Sequence, residues 1–156
     1  DHRDLHKEYR RQRQMCIRDR FISELIKEGK IEPEASFDED VTFHDACYVG
    51  RHHGEYDAPR DVLQSVLSEN ATIKEMPRNK EDTFCSGAGG GNMWYEIKQG
   101  KRINVERFEE AISTGVKKVA TSCNFCMIMM EDGRKVTGQD KKMEVYDIAE
   151  LVAERI

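Results

Sequence analysis

V-A-T-S-C-N-F-C-M-I-M-M-E, residues 119–131, decides the fold. Val119 to Thr121 is a short strand-forming run, and the residues after Cys126 have the character of an apolar helix start, so the chain turns from strand to helix across Cys123-x-x-Cys126. Two thiols at that spacing on such a turn can bind one metal or close one disulfide. Cys47 and Cys85 occupy comparable places, each just after a strand-like segment and beside glycines. Four thiols at the same end of successive strands would converge.

Upstream, Val41 to Asp45 is strand-like and runs into A-C-Y-V-G-R-H-H-G, a loop holding Cys47, Gly50 and Gly54. Pro59 suits the first turn of a helix through Val62, Leu63, Val66 and Leu67, with Asp57 as its N-cap. Residues 71–76, A-T-I-K-E-M, alternate as a second strand that Pro77 ends. T-F-C-S-G-A-G-G-G-N follows, then one long helical pattern from about Met93 to Ile112, stopped at Gly115. Downstream, Lys117–Thr121 is a third strand, the helix after Cys126 extends to about Val136, Glu144–Tyr146 is a fourth strand, and Asp147 caps a last helix to Ile156. The order β-α-β-α-β-α-β-α predicts an α/β fold, Rossmann-like and three-layered. Its mostly parallel sheet has about four strands flanked by helices. Sites in such sheets lie beyond the carboxyl ends of the strands, where these cysteines fall.

At 156 residues the chain has the length of one domain. Charged residues make up 35% of it and are concentrated early, which places the core after the first forty residues. A net charge of −5 argues against nucleic-acid binding, which needs clustered Lys and Arg. No apolar run approaches the roughly 20 residues that span a bilayer, and no signal-peptide stretch opens the sequence, so a cytoplasmic location is expected. Residues 1–20 have almost no apolar periodicity. Their end, R-Q-R-Q-M-C-I-R-D-R, resembles translated sequencing-adapter sequence, so the segment is expected to be a disordered or non-native tail, and Cys16 is left out of the site. Phe21, Ile22, Leu25 and Ile26 share a helix face, and Pro33 with the acidic run after it marks a linker, giving a short helix and linker over 21–36 and the main domain over 37–156.

Cys47, Cys85, Cys123 and Cys126 supply the four thiolates that a four-iron, four-sulfide cubane takes at its corners. Gly87, Gly89, Gly90 and Gly91 have no Cβ, which lets backbone approach a bulky cluster and aim N–H groups at its sulfurs. The run Met127 to Met130 reads first as core packing, with incidental contact to such a site. His44, His52 and His53 read as solvated or backbone-bonded rather than as ligands. The glycine run lacks the last glycine of G-x-G-x-x-G, where Asn92 stands, and lacks the Gly-Lys-Ser/Thr of a P-loop. Two other chemistries use the same residues. A structural zinc site would take the four cysteines as ligands, although zinc ribbons use two C-x-x-C knuckles and here there is one. A dithiol oxidoreductase would use Cys123-x-x-Cys126 at a helix N-terminus, leaving Cys47 and Cys85 without a role.

The words H-D-A-C-Y-V-G-R at 44–51, F-C-S-G-A-G-G-G at 84–91 and C-N-F-C at 123–126 resemble the cysteine-rich CCG domain of the B-type component of heterodisulfide reductase and of related iron–sulfur oxidoreductases. G-R-H-H-G-E-Y-D-A-P-R, M-P-R-N, K-R-I-N-V-E-R and D-I-A-E-L are most similar to the membrane-linked members, and the resemblance covers residues 21–156. It implies an electron-transfer module rather than a complete enzyme, one that passes electrons between a flavoprotein donor and a quinone or disulfide acceptor. It also implies upstream partners, a ferredoxin-like domain and a first CCG copy, with any membrane attachment through N-terminal helices preceding this sequence. By resemblance the cluster ligands are Cys47, Cys85, Cys123 and Cys126, with Ser86, Gly87 and Gly89 beside them. The family triplet Cys-Cys-Gly is Cys85-Ser86-Gly87 here, and Ala46 stands where the family often has proline. One thiolate short of the noncubane set, the sequence favours a cubane over a serine-ligated cluster or an empty domain.

Overall fold

Three strands of four residues form the sheet: β1 Val41–His44, β2 Lys118–Thr121 and β3 Glu144–Asp147. They lie in the order β1-β2-β3, all parallel, in register from Val41↔Lys118↔Glu144 to His44↔Thr121↔Asp147. The computed structural model describes residues 17–95 and 100–156.

Side chains alternate across the sheet, so each strand feeds two cores. Val41, Phe43 and Ala120 join one with Val62, Leu63 and Val66 of α3 (Asp57–Val66) and with Ile148, Leu151 and Val152 of α6 (Ile148–Ala153). Helix α1, over 17–27, packs Ile22 and Ile26 against that same face. Val119 and Val145 face the other way, onto Phe108 and Ala111 of α4 (Ile103–Ser113) and Met130 of α5 (Asn124–Val136). A parallel sheet buried on both faces between helices follows, and this is the three-layer α/β architecture expected. Among the described residues no helix is long and apolar enough to cross a membrane.

The expected second strand is reduced to a single bridge, Ile73 with Val41, held by Val41 N–H to Thr72 O at 3.1 Å and Lys74 N–H to Val41 O at 2.8 Å. The cause is the course of the chain: Ala71 lies in the first core and Met76 in the second, so residues 71–76 cross the edge of the sheet instead of running along it. The single helix expected over 93–112 is also replaced. Gly90 and Gly91 have φ of 66° and 77° inside a 3₁₀ segment, Gly89–Trp94, and α4 starts only after Gly100, at φ 78°. Residues 96–99 lie outside the described residues. Asp57 sits inside α3 rather than capping it; Glu55 Oε1 accepts the Ala58 N–H at 3.1 Å instead. Asp147 does cap α6, its Oδ1 accepting from Ala149 N–H at 2.8 Å. Residues 17–20, assigned on sequence to the tail, belong to α1, and the rest of that segment, 1–16, lies outside the described residues.

Helices α4 and α5 meet so closely at Gly133 that a Cβ there would stand 2.8 Å from both Asn104 O and Phe108 Cβ. Gly133→Ala should therefore cost about 1–3 kcal/mol, read as a lowered urea midpoint. A second expectation concerns His44, which is fully buried and accepts the Arg107 Nε–H at Nδ1 over 2.9 Å. Burial first, and then the Arg107 charge, hold its pKa well below 6.5, so the folded ring stays neutral where the unfolded one is protonated. Stability is then full above about pH 6.5 and declines as the pH falls below it. His44→Gln, an acceptor that does not titrate, should flatten that decline; parallel stability curves for the two proteins between about pH 5 and 8 would contradict the assignment.

Candidate functional site

The carboxyl ends of β1 and β2 open onto a small third cluster of Ala46, Val49, Cys123, Cys126 and Phe125. Cys47 enters it from a tight turn after β1, where Val49 N–H and Gly50 N–H donate to Ala46 O at 3.0 and 2.9 Å. One helical turn follows, α2 (Gly50–His53), ending at Gly54 with φ 66°. Gly50 is obligatory on steric grounds, since a Cβ would stand 2.3 Å from the Tyr56 ring.

Cys85 arrives on a segment pinned beneath β1. Asp45 takes both terminal nitrogens of Arg60, at 2.8 and 2.9 Å, and the Lys80 backbone N–H at 2.8 Å. Thr83 Oγ1 donates to Asp45 O at 3.2 Å, and Arg51 Nη2 donates to Thr83 O at 2.6 Å. The Arg78 guanidinium lies over the Phe84 ring at 3.7 Å. These contacts fix residues 78–84, so Cys85 reaches Cys47 although no full strand precedes it. Cys123 and Cys126 come from the β2-to-α5 turn, where Met127 N–H closes onto Cys123 O at 2.8 Å.

All four are free thiols, two buried and two half-buried. Electrostatically they act as two pairs, Cys47 with Cys85 and Cys123 with Cys126. In the first, the Cys47 thiol donates to Cys85, and the N–H groups of Gly87, at 3.3 Å, and Gly89 also point at Cys85 Sγ. These donors outweigh burial and bring Cys85 down to about 5, whereas donation to Cys85 and burial push Cys47 up. In the second, Cys126 donates to Cys123, helped by the backbone N–H groups of Cys126 and Phe125, and Cys123 falls to about 7. Cys126 is pushed well up by that bond and by burial. The pairs also feel each other: the charge of Cys123 acts on Cys47 and that of Cys47 on Cys126. Ser86, itself buried, donates its Oγ–H to Cys126 Sγ at 3.2 Å, bridging the loop of one pair to a thiol of the other. Among the described residues no group of three or more Cys, His, Asp or Glu side chains is arranged to hold a single metal ion.

The structure thus brings together Cys47, Cys85, Ser86, Gly87, Gly89, Cys123 and Cys126, the residues singled out on sequence. Cys16 lies outside the described residues. Met130 is core and Ile128 is exposed, so the Met127–Met130 run packs α5 more than it covers the thiols. His52 and His53 lie against the Tyr48 ring, the first tilted and the second edge-on, with ring centroids 5.1 and 5.3 Å away. Sequence reasoning missed Asp45 and Arg51, whose contacts with residues 80 and 83 place Cys85; the only signal was an acid at a strand end two residues before a cysteine. It also missed Arg18 of α1, which donates to Ser122 O at 3.0 Å and Asp147 at 3.1 Å beside the second pair.

Comparison with known proteins places the chain in a family. The family model for the CCG cysteine-rich domain matches residues 41–131, a span holding all four thiols. The chain is 38% identical over 135 residues to the probable iron-sulfur-binding oxidoreductase FadF of Bacillus subtilis (strain 168), covering 86% of this chain and 19% of that protein. It is 37% identical over 138 residues to the EtfAB:quinone oxidoreductase of Syntrophomonas wolfei, covering 84% and 19%. It is 38% identical over 141 residues to one component of the dihydromethanophenazine:CoB--CoM heterodisulfide reductase of Methanosarcina mazei, covering 87% and 32%. The chain therefore spans between about a fifth and a third of the length of these curated relatives.

The unequal thiols make a direct expectation for metal-free folded protein. Alkylation with iodoacetamide at about pH 6, followed by peptide mapping, should label Cys85 before the other three site cysteines and Cys126 last. Equal rates at the four would contradict the hydrogen-bond pattern.

Proposed function

The chain belongs to the CCG cysteine-rich domain family, and on that premise we propose that it is an iron–sulfur electron-transfer module holding a 4Fe-4S cluster on Cys47, Cys85, Cys123 and Cys126. One observation carries the reading: four free thiols delivered by three separate segments lie close enough to act on one another beyond the carboxyl ends of a parallel sheet, with Ala46, Val49 and Phe125 packed against Cys123 and Cys126. The cluster, when bound, supplies one-electron transfer.

The chain's own residues have definite tasks in this reading. Cys85 and Cys123 are already biased toward thiolate by the partner thiol of each pair and then by the N–H groups around them, whereas Cys47 and Cys126 each hold a proton that must leave when they become ligands. Gly87 N–H and Gly89 N–H donate to ligand sulfur and so stabilise the more negative state of the site. Ala46, Val49 and Phe125 keep water from the buried side. The Arg51 charge acts on both Cys47 and Cys85 and offsets negative charge there.

The partners follow from the relatives, and they too are proposals. An oxidoreductase named for EtfAB and quinone, together with a heterodisulfide reductase component, supports a flavoprotein donor and a quinone or disulfide acceptor. The short span of the chain relative to those proteins supports a module of a longer oxidoreductase, with a ferredoxin-like domain and a first CCG domain upstream. A location at the cytoplasmic face of a membrane, reached through helices outside this sequence, is in keeping with a relative named as a probable membrane-anchored ferredoxin.

One observation favours a second reading. Cys123, with its pKa brought down to about 7 at the start of α5, has the character of a dithiol-oxidoreductase nucleophile. That reading leaves the Cys47 and Cys85 pair without work. A structural zinc site would use the same four thiols, but zinc ribbons use two C-x-x-C knuckles and here there is one, Cys123-x-x-Cys126.

The test is iron, zinc and acid-labile sulfide content, with visible absorption and electron paramagnetic resonance, on anaerobically reconstituted protein. We expect roughly four irons and four sulfides per chain, lost in Cys47→Ser. Stoichiometric zinc with no cluster after reconstitution would overturn the proposal, and so would a Cys47→Ser protein that keeps full dithiol–disulfide activity with neither metal bound.

A further inference from the structure

Ser86 stands where the family triplet has its second cysteine, and its place in the structure gives it a task of its own. Its side chain is buried, at 2% exposure, and its Oγ–H is committed to Cys126 Sγ at 3.2 Å. The next residue, Gly87, commits its backbone N–H to Cys85 Sγ at 3.3 Å. A single turn of backbone therefore sends one donor to a thiol of each pair. Gly87 permits the turn because its φ is 90° and a Cβ there would stand 3.0 Å from Ile103 Cβ, leaving no room for another residue in that conformation.

A serine that ligates iron does so as an alkoxide, without its proton, and so cannot also donate to a neighbouring sulfur. The two roles exclude each other, and the observed hydrogen bond belongs to the second. Four thiols already equal in number the ligands that a cubane would take, so the oxygen would not be needed as a fifth. A hydroxyl donor on a thiolate withdraws charge from the sulfur and stabilises the reduced, more negative state over the oxidised one.

We propose that Ser86 is a positioning residue, not a ligand: its hydroxyl donates to the Cys126 sulfur and raises the reduction potential of the cluster. The inference rests on the cluster reading above.

The experiment compares wild type, Ser86→Ala and Ser86→Thr after anaerobic reconstitution, reading iron and sulfide content, the electron paramagnetic resonance spectrum and the potential by redox titration. Ala removes the donor without enlarging the side chain, and circular dichroism shows whether each variant is folded. We expect Ser86→Ala to keep the wild-type iron and sulfide content while its potential shifts negative, by the equivalent of about a two- to tenfold change in the reduction equilibrium, the worth of one hydrogen bond. Ser86→Thr, which restores the hydroxyl, should return toward wild type. An unchanged potential in a fully loaded Ser86→Ala protein would make the hydroxyl a bystander and overturn the inference while leaving the cluster reading standing. Loss of iron from folded Ser86→Ala, with retention in Ser86→Thr, would make Ser86 an oxygen ligand and also overturn it. A wild-type protein that takes up no cluster would remove the cluster reading and the inference with it.

Discussion

The shared register of three short parallel strands is the constraint on which the rest depends. Because His44, Thr121 and Asp147 lie side by side, the three chain exits occur at one level and on one edge of the sheet. Cys47 follows the first exit by three residues and Cys123 the second by two. A one-residue slip of β1 against β2 would exchange the faces of Val41 and Phe43 with those of Thr42 and His44. Apolar side chains packed on α3 and α6 would then meet Arg107, and the slip is excluded by burial on both faces. The site inherits its geometry from a choice made in the core.

The third segment of the site lacks such a strand, and polar contacts replace it. Asp45 binds Arg60 of α3 and the backbone at Lys80, and it therefore joins the end of β1, the first helical layer and the loop leading to Cys85. Arg107 of α4, fully buried, reaches across from the opposite layer to His44 and the Arg78 carbonyl. Buried charges of this kind are tolerable only when their hydrogen bonds are made, and here those bonds run to the segment that the sheet does not hold. The two layers are thus tied to one another at the same end of the sheet where the thiols meet.

This division explains what could be read from the sequence. The strand-to-helix turn at Cys123-x-x-Cys126 was legible because its signals are local: a β-branched run, two cysteines and an apolar helix face. The helix after it ends at Val136, where its pattern ends. Residues 71–76 misled because the alternation of Ala71 and Ile73 reports side-chain burial, not hydrogen bonding, and the segment then crosses to place Met76 in the other core. The long helix pattern over 93–112 misled for the converse reason. Its periodicity continues through Gly100, but a glycine at φ 78° lets the backbone leave the helix at no steric cost, and nothing in apolar spacing registers that freedom. Asp45 and Arg51 were invisible because the partners through which they place Cys85 lie some thirty residues away and are backbone groups, which carry no residue-type signal.

The electrostatics of the thiols follow from the same placement. Each pair contains one cysteine whose sulfur collects backbone N–H donors and one that gives its proton to the first. Cys85 collects them from the glycine turn and Cys123 from the first turn of α5, two unrelated local structures that produce the same asymmetry. The residues without N–H donors, Cys47 and Cys126, are the ones pushed up. The metal-free site is therefore half prepared: each pair offers one sulfur close to ionised, and neither carries two adjacent uncompensated charges in a buried pocket. In the proposed cluster site, a bound metal group would supply the positive charge that lets the other two protons leave. The N–H donors would then remain on ligand sulfur and stabilise negative charge there. The glycines and the helix start would thus do the same electrostatic work with and without a bound cluster, and that continuity ties the fold of the sheet edge to the chemistry proposed for it.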